Sequence, residues 1–498
     1  MMIKKRIYLL TAAATMTISL MGFSHNSVQA ARYNAKVVDK GSYGIYANLG
    51  KHGPSGYMGS TGALRYSNFQ SGTTRQSGSS RYCYVYINGH KAGWVNENAF
   101  EKNKISVAKN VSLVYNPNYT YNVRDALNYA TDAHGNAIDI RKVHVNRPSI
   151  SSSDIGTHII KYSYGKAHAT SKVIVRSDKK EGIAKANAKP QKSRSYTTWK
   201  THYKTSGNWG NSFAPETTDH TLKSGGLTLK TVFYQPATLN VDGSVEGSTG
   251  PTPEGLAVSQ NRMYLAMYKH VYYNHARIIS YNLNGIPKYE LQKLPWLPWN
   301  EFYNLSKGIK FSPYIKMGHG QTFSATDKYL YVIANNHLLT NSSKSEEIMR
   351  INKNNLQIGK IWTFKIWNRD ANHPRYIHNA VFVNDHEFYA VFHNSAMKRF
   401  EYWRVTRHGN EWHPKEVGAS GSDFMRNGSP VQGFTYDKRK NQFYLAFNDY
   451  ILNIAKNGKL LRTSHFNSGR EIEGISATNH DLYVELAERP ELFRGWIK

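Results

Sequence analysis

Five copies of one pattern in the C-terminal part of the chain constrain its fold more than any other feature. Each copy opens on a polar residue and runs through a short apolar strand and a polar turn to an apolar residue followed by Tyr. The copies read Glu254-Gly-Leu-Ala-Val to Met263-Tyr264, Gln321-Thr-Phe-Ser-Ala to Leu330-Tyr331, and Asn379-Ala-Val-Phe-Val to Phe388-Tyr389. They continue as Gln432-Gly-Phe-Thr-Tyr to Phe443-Tyr444 and Glu473-Gly-Ile-Ser-Ala to Leu482-Tyr483. Self-similarity at this scale means a repeat array, in which each unit buries its apolar face only against its neighbours.

The spacing of the five tyrosines suits blades of a β-propeller, four strands each. After each of the first four Tyr strands comes a third strand and a two-residue turn: Asn284-Gly285, Asn354-Asn355, His408-Gly409 and Asn457-Gly458. Such turns close tight hairpins, so a fourth strand is expected after each. The fifth copy stops after Leu492-Phe-Arg-Gly-Trp-Ile, its third strand. An open edge is an aggregation liability. Leu227-Thr-Leu-Lys-Thr-Val-Phe-Tyr is therefore expected to return as the missing strand, which makes five closed blades. A sixth blade within 206–250 is the alternative, although that stretch lacks the apolar-Tyr pair.

In a propeller the first strand of each blade lines the channel. The residues that open the copies (Glu254, Gln321, Asn379, Gln432 and Glu473) are thus expected to ring its mouth, with His319 and His378 just ahead of two of them. Three chemistries fit such a ring. The side chains can plug the channel by bonding one another. Converging oxygens suit Ca²⁺, with Glu254, Asn379 and Glu473 as the ligands; lactonase-type propellers are similar in that local pattern. Glu254 and Glu473 can also act as general acid and base on a glycosidic bond, as the five-bladed glycoside hydrolases imply, although three ring positions are amides. A further candidate is the loop Leu294-Pro-Trp-Leu-Pro-Trp. Trp296 and Trp299, stiffened by two prolines, are read either as a sugar-stacking pair or as a loop packed on the blades. No phosphate loop, nucleophile elbow or zinc motif is present.

The N-terminus reads as a secretory signal over residues 1–30, with Lys4, Lys5 and Arg6, an apolar run to Met21 and a small-residue site at Ala30. An uncleaved anchor is the alternative; no membrane span is expected in the mature form. The single cysteine, Cys83, allows no internal disulfide and suits Gram-positive secretion. The net charge is +30, and residues 31–205 carry +18 of it by count. That concentration predicts a polyanion partner. For an exported chain the expected polyanion is an anionic wall polymer such as teichoic acid, and not nucleic acid. Charge kept for solubility alone is the bland alternative.

Within residues 31–104, the strand Tyr82-Cys-Tyr-Val-Tyr-Ile, the turn Asn88-Gly89 and the run Lys91-Ala-Gly-Trp-Val form a hairpin pattern. This pattern resembles the SH3-like GW wall-binding modules of bacteria and their S-layer-associated variants. The resemblance implies a wall-binding barrel with Gly93, Trp94, Tyr84, Tyr86 and Lys91 in its site, Trp94 packing the barrel and the tyrosines and bases making contacts. Residues 105–177 alternate apolar and polar and are similar to bacterial Ig-like repeats, which implies a spacer sandwich. There Asp132 and Asp139 fit turns better than a calcium site. Residues 178–205 are too basic and polar to form a core and read as a flexible linker.

The expected protein is all-β: an SH3-like barrel, an Ig-like sandwich and a propeller over 206–498. It is secreted, monomeric and held non-covalently on the cell wall or S-layer. Its propeller binds a glycan or a host or matrix ligand; the alternative is a wall-associated hydrolase.

Overall fold

A computed structural model describes residues 32–192, 217–236, 252–268, 275–334, 344–368, 373–421, 424, 431–487 and 490–496. The expected signal, the second half of the linker and residues 237–251 lie outside these residues. The described chain is nearly all β. Its one α-helix is Trp299–Ser306, and no described helix is long and apolar enough to cross a membrane.

Five antiparallel blades make the propeller among the described residues. Their inner strands are Thr252–Ser259, Phe323–Ala325, Asn379–Asn384, Gly433–Asp437 and Ile472–Ala477. We number the blades 1 to 5 in that order. All five inner strands line one central cavity of about 250 Å³, so the blades form a closed ring. Blade 5 is completed from upstream: Leu227–Tyr234 pairs antiparallel with Glu491–Trp496, as expected. Thr221–Ser224 adds one more strand outside it. The 217–236 part of the stretch considered for a sixth blade therefore belongs to blade 5.

The repeat motif is the code for the blade interfaces. In every copy the tyrosine packs toward the next blade and the apolar residue before it toward the previous one. Tyr264 shares a core with Phe323 and Leu330 of blade 2. Tyr331 shares one with Phe382 and Phe388 of blade 3, and Tyr389 with Phe434 and Phe443 of blade 4. Tyr444 packs with Ile475 and Leu482 of blade 5, and Tyr483 with Leu256 and Met263 of blade 1. Period-2 alternation along the second strand sends the two neighbours to opposite faces, one to each adjoining blade. The tightest pair is Tyr331 on Phe382, with ring centroids 4.1 Å apart and planes 10° from parallel.

The small residue after each ring position lets the inner strands approach. A Cβ on Gly474 would stand 2.6 Å from Leu256 Cβ, and one on Gly255 2.2 Å from the Gly320 carbonyl oxygen. Side chains then stitch the strands. Ser324 Oγ accepts from Phe382 N (2.9 Å), Thr435 Oγ1 from Ala477 N (2.9 Å) and Ser476 Oγ from Val258 N (3.0 Å).

The N-terminal module is a six-stranded sheet built from Tyr33–Ala35, Gly44–Leu49, Pro54–Ser60, Phe69–Ser77, Ser80–Ile87 and His90–Asn96. Its core of Ile45, Leu64, Phe69, Cys83, Val85, Ile87 and Val95 continues into blade 1 through Leu294, Leu297 and Phe302. Burial, with Glu97 nearby, pushes the Cys83 thiol up to about 11, so it stays a protonated, unreactive apolar filler.

The segment over 105–175 is not a free spacer. Asn110–Leu113 pairs in parallel with Ala167–Val175 on one side and with Ile358–Phe364, the outer strand of blade 2, on the other. One eight-stranded sheet thus runs from this segment into the propeller. It covers an edge that blade 2 would otherwise expose. Asn128 accepts from Ile358 N at 2.7 Å and donates to its oxygen at 3.2 Å. Lys316, with Asp125 at 2.9 Å and Glu347 at 2.6 Å, locks the junction beneath. Asp132 and Asp139 hold turns: Asp132 accepts from His134 N and Asn136 N, and Asp139 from Arg141 N.

The first half of the expected linker is also laid down on the propeller. Ile183–Ala184 pairs in parallel with Ile366–Asn368. The buried Glu181 takes Arg176 and, at 3.0 Å, Trp412 N. Ala188 N donates to Glu416 at 2.6 Å, and Gln191 bridges to Ser420. Composition marked this stretch as unable to build a core; it instead lies against a core built by others.

Candidate functional site

The channel mouth is braced by its own side chains. Gln321 Nε2 donates to Gln432 Oε1, and Gln432 Nε2 to Glu471 Oε1 at 2.5 Å. His319 Nδ1 lies 3.1 Å from Glu254 Oε2. Burial pushes the His319 imidazole down, but Glu254 and Glu471 more than offset it and hold its pKa above the usual value. Glu254 and Glu473 are only 4% and 5% exposed, and Asn379 is fully buried. Asn379 Oδ1 accepts from Ala380 N, while its Nδ2 has no partner among the described residues. His378 Nδ1 accepts from His393 N at 3.2 Å. Burial, with His393 beside it, pushes His378 down to about 4, which leaves a neutral ring. Two residues below each ring position stands an apolar one: Leu256, Phe323, Val381, Phe434 or Ile475, all lining the cavity. The channel therefore has a polar mouth above an apolar layer. Among the described residues no group of three or more His, Cys, Asp or Glu side chains is placed to hold a metal ion.

The two loop tryptophans part company. Trp296 is 60% exposed at the end of a 3₁₀ turn, Leu291–Trp296. Trp299 opens the α-helix and faces the N-terminal module, where its Nε1 donates to Met58 O at 2.8 Å. Tyr303, one turn on, accepts from Ser60 N at 3.0 Å, and His90 stacks on Phe302 at 4.3 Å. The insertion between the first two copies is thus a docking element. A helix-forming run after Pro298 was the signal for it; the sequence alone leaves a sugar-stacking pair and a packed loop both open.

The strongest exposed constellation lies on the outer face of the N-terminal sheet. Along Ser80–Ile87 the residues Cys83, Val85 and Ile87 go to the core, and Tyr82, Tyr84 and Tyr86 to the outside. Tyr84 stands opposite Trp94, Trp94 opposite Tyr46, and Tyr46 opposite Tyr57. Directly opposed residues of antiparallel strands share a face. These four aromatics therefore form one row across four adjacent strands, about 14 Å long at the usual strand spacing. Tyr84 meets Trp94 edge-to-face at 5.5 Å, and Tyr46 meets Tyr57 at 5.9 Å. Tyr86 continues the cluster beside Tyr84 at 5.7 Å, and the exposed Lys91 stands opposite it. Arg75 lies over Trp94 at 5.3 Å, and Arg32 over Tyr86 at 3.7 Å.

Trp94 is half-buried in this row and takes no part in the core, contrary to the expectation that it packs the barrel. Gly93 explains the dipeptide. At φ +148° a Cβ would meet the Tyr46 oxygen at 2.4 Å, so only glycine brings the two strands together there. Sequence reading missed Tyr46, Tyr57 and Arg75, which only the strand register carries to Trp94.

Residues 27–101 match the GW (Gly-Tryp) dipeptide domain. No curated protein sequence matches the chain. Among solved structures it is similar to Myxococcus xanthus glutaminyl cyclase, at 10% identity over 56% of this chain and 95% of that one, with a TM-score of 0.31. A Xanthomonas campestris gluconolactonase is similar at 8% identity over 56% and 95%, with a TM-score of 0.29. A virginiamycin B lyase from Staphylococcus aureus is similar at 15% identity over 49% and 70%, with a TM-score of 0.24. These likenesses are distant, and the fold stands on the strand pairing described above.

Proposed function

We propose that the protein is a secreted bacterial surface protein. It is held non-covalently on the wall by an anionic wall polymer such as teichoic acid, and it displays its propeller toward a glycan or a host or matrix ligand. The observation that carries the attachment is the row Tyr84–Trp94–Tyr46–Tyr57 with Arg75, Arg32 and Lys91, placed on the residues that match the GW domain. A row of aromatics offers large contact area at little entropic cost, and the cations answer the polymer's charge. Burial, with Tyr86 nearby, raises the Tyr84 phenol further above neutrality, so the face adds no negative charge of its own.

Support for the hydrolase alternative is weaker. Its two carboxylates are nearly buried, and one is held by His319. An acid–base pair needs groups that exchange protons with substrate and water.

The test is sedimentation of the full chain with purified walls. Trp94→Ala combined with Tyr46→Ala should cost about 2 kcal/mol, roughly thirtyfold in affinity, at unchanged melting temperature. Binding should also fall as salt rises. Wall binding that ignores both the double substitution and salt would overturn the assignment.

A further inference from the structure

A second basic surface lies on the propeller, away from the N-terminal face. Between blades 1 and 2, at the end of the blades opposite the ring residues, is a groove of about 500 Å³. Arg262, Lys310, Lys328 and Lys353 line it, with Asp327 as the only carboxylate in its lining. None of the four cations forms an ion pair among the described residues. Three of them are held by neutral oxygens instead. Arg262 Nη1 donates to Gly308 O (2.9 Å) and Ser280 Oγ (3.0 Å). Lys353 Nζ donates to Thr326 O (2.8 Å) and Ser259 Oγ (3.0 Å), and Lys310 Nζ to Asn354 O (3.2 Å). Burial, with Arg262 close by, pushes the Lys310 amine down to about 8.

Cations gathered this way repel one another and gain from an anion placed among them. A single carboxylate would leave most of that excess unanswered; a chain of phosphodiesters would not. The basic trail is also continuous with the N-terminal module. Lys310 lies 5.3 Å from the Tyr66 ring, and Lys36 lies 4.9 Å from the same ring.

We propose that this groove is a second, propeller-borne site for a phosphodiester polymer, gripped by Arg262, Lys310, Lys328 and Lys353 and continuous with the N-terminal module. The proposal rests on the wall-attachment reading and extends it to a part of the chain outside the GW match. The groove orients the propeller on the polymer, and the aromatic face supplies the stacking.

The test uses the full chain with poly(glycerol phosphate) and, in a second arm, a polycarboxylate of equal charge density. Limiting acetic anhydride at pH 8 finds about half of Lys310 neutral, against under about 1% of an ordinary lysine, so peptide mapping should show Lys310 labelled early. Poly(glycerol phosphate) should cut that labelling at least about fivefold, and the polycarboxylate much less. Arg262→Gln with Lys310→Gln should weaken polymer binding about tenfold, against less than about twofold for the exposed control pair Lys415→Gln and Lys459→Gln. Added to the Trp94 and Tyr46 substitutions, it should remove the binding that remains. Lys310 labelling unchanged by the phosphate polymer, or protected equally by the polycarboxylate, overturns the groove, and the labelling arm needs no variant to fold. A chain that binds no wall polymer at all overturns the attachment reading; a chain that binds it with Lys310 unprotected overturns the groove alone.

Discussion

Replacing Tyr331 with alanine removes the ring that fills the interface between blades 2 and 3. The side chain is fully buried, and its ring lies parallel to Phe382 at 4.1 Å. Phe388 and Trp412 close the same cluster, with Phe382 4.7 Å from Phe388 and Phe388 5.4 Å from Trp412. A cavity of one aromatic ring among these rigid neighbours cannot collapse, so the cost is about 3–5 kcal/mol. For a domain of this size that is about 10 °C of melting temperature. Tyr331→Phe keeps the ring and gives up a 3.3 Å contact from the hydroxyl to Asp385, which retains Thr326 at 2.7 Å. Its cost is about 1 kcal/mol, a few degrees. Calorimetry of the three proteins at one scan rate gives the comparison. The same exchange at Tyr483, 7% exposed and without a stacked partner among the described rings, should cost less than at Tyr331. If Tyr331→Ala moves the transition by under about 2 °C, or Tyr331→Phe costs as much as alanine, the tyrosines are not the packing code of the ring.

Ser112→Pro should unfasten the 105–175 segment: Ser112 stands between Ile174 and Trp362 in a strand paired on both sides. Proline there removes a ladder bond and clashes at about 3 kcal/mol or more; limited proteolysis should cut within 105–175 faster while the propeller core persists. The neutral, buried His378 predicts acid sensitivity with a definite sign. Its folded pKa, about 4, lies below the ordinary 6.5, so the unfolded chain binds the proton more readily. The neutral ring's contribution is full above about pH 6.5 and is lost as pH falls from there to about 4, at most about 3 kcal/mol. His319, held above its usual value, works in the opposite sense, its contribution present at low pH and lost as pH rises. Denaturation midpoints at pH 7 and pH 4.5 should therefore differ less for His378→Gln than for the parent chain.

The propeller was legible because the residues that encode it are local. Each copy carries its own inner strand, its turn and the apolar-Tyr pair that faces both neighbours, and the want of a fourth strand in the last copy pointed back to Leu227–Tyr234. The aromatic face was half legible. Tyr84, Tyr86 and Trp94 lie on one hairpin, but Tyr46 and Tyr57 join them through pairings that no local pattern announces. What stayed hidden were contacts between modules. Nothing in Asn110–Leu113 says that one of its two edges belongs to Ile358–Phe364. Nor does the composition of 178–192 say that Glu181 and Gln191 find partners in Trp412 and Ser420. At the mouth, the five ring residues could be named, but whether they bond one another or a ligand depends on reach across the ring, and reach is a property of the closed fold.

On the proposed function, attachment and display would be kept apart by the direction of the inner strands. The ring residues stand at their starts; the turns that follow those strands carry Gln260 in blade 1 and Asp327 and Lys328 in blade 2, which line the basic groove. A polymer held in that groove occupies the end of the blades opposite the mouth. At the mouth, Gln321, Gln432 and Glu471 share hydrogen bonds among themselves, and Glu254 is paired with His319. A ligand there must exchange for bonds already made, which favours a partner with many polar groups, such as a glycan, over a small substrate with one reacting bond. The apolar layer of Leu256, Phe323, Val381, Phe434 and Ile475 beneath the ring would disfavour passage of such a polar ligand further into the channel. Binding at the mouth and wall attachment are then independent events, and saturating the groove with polymer should leave affinity at the mouth unchanged.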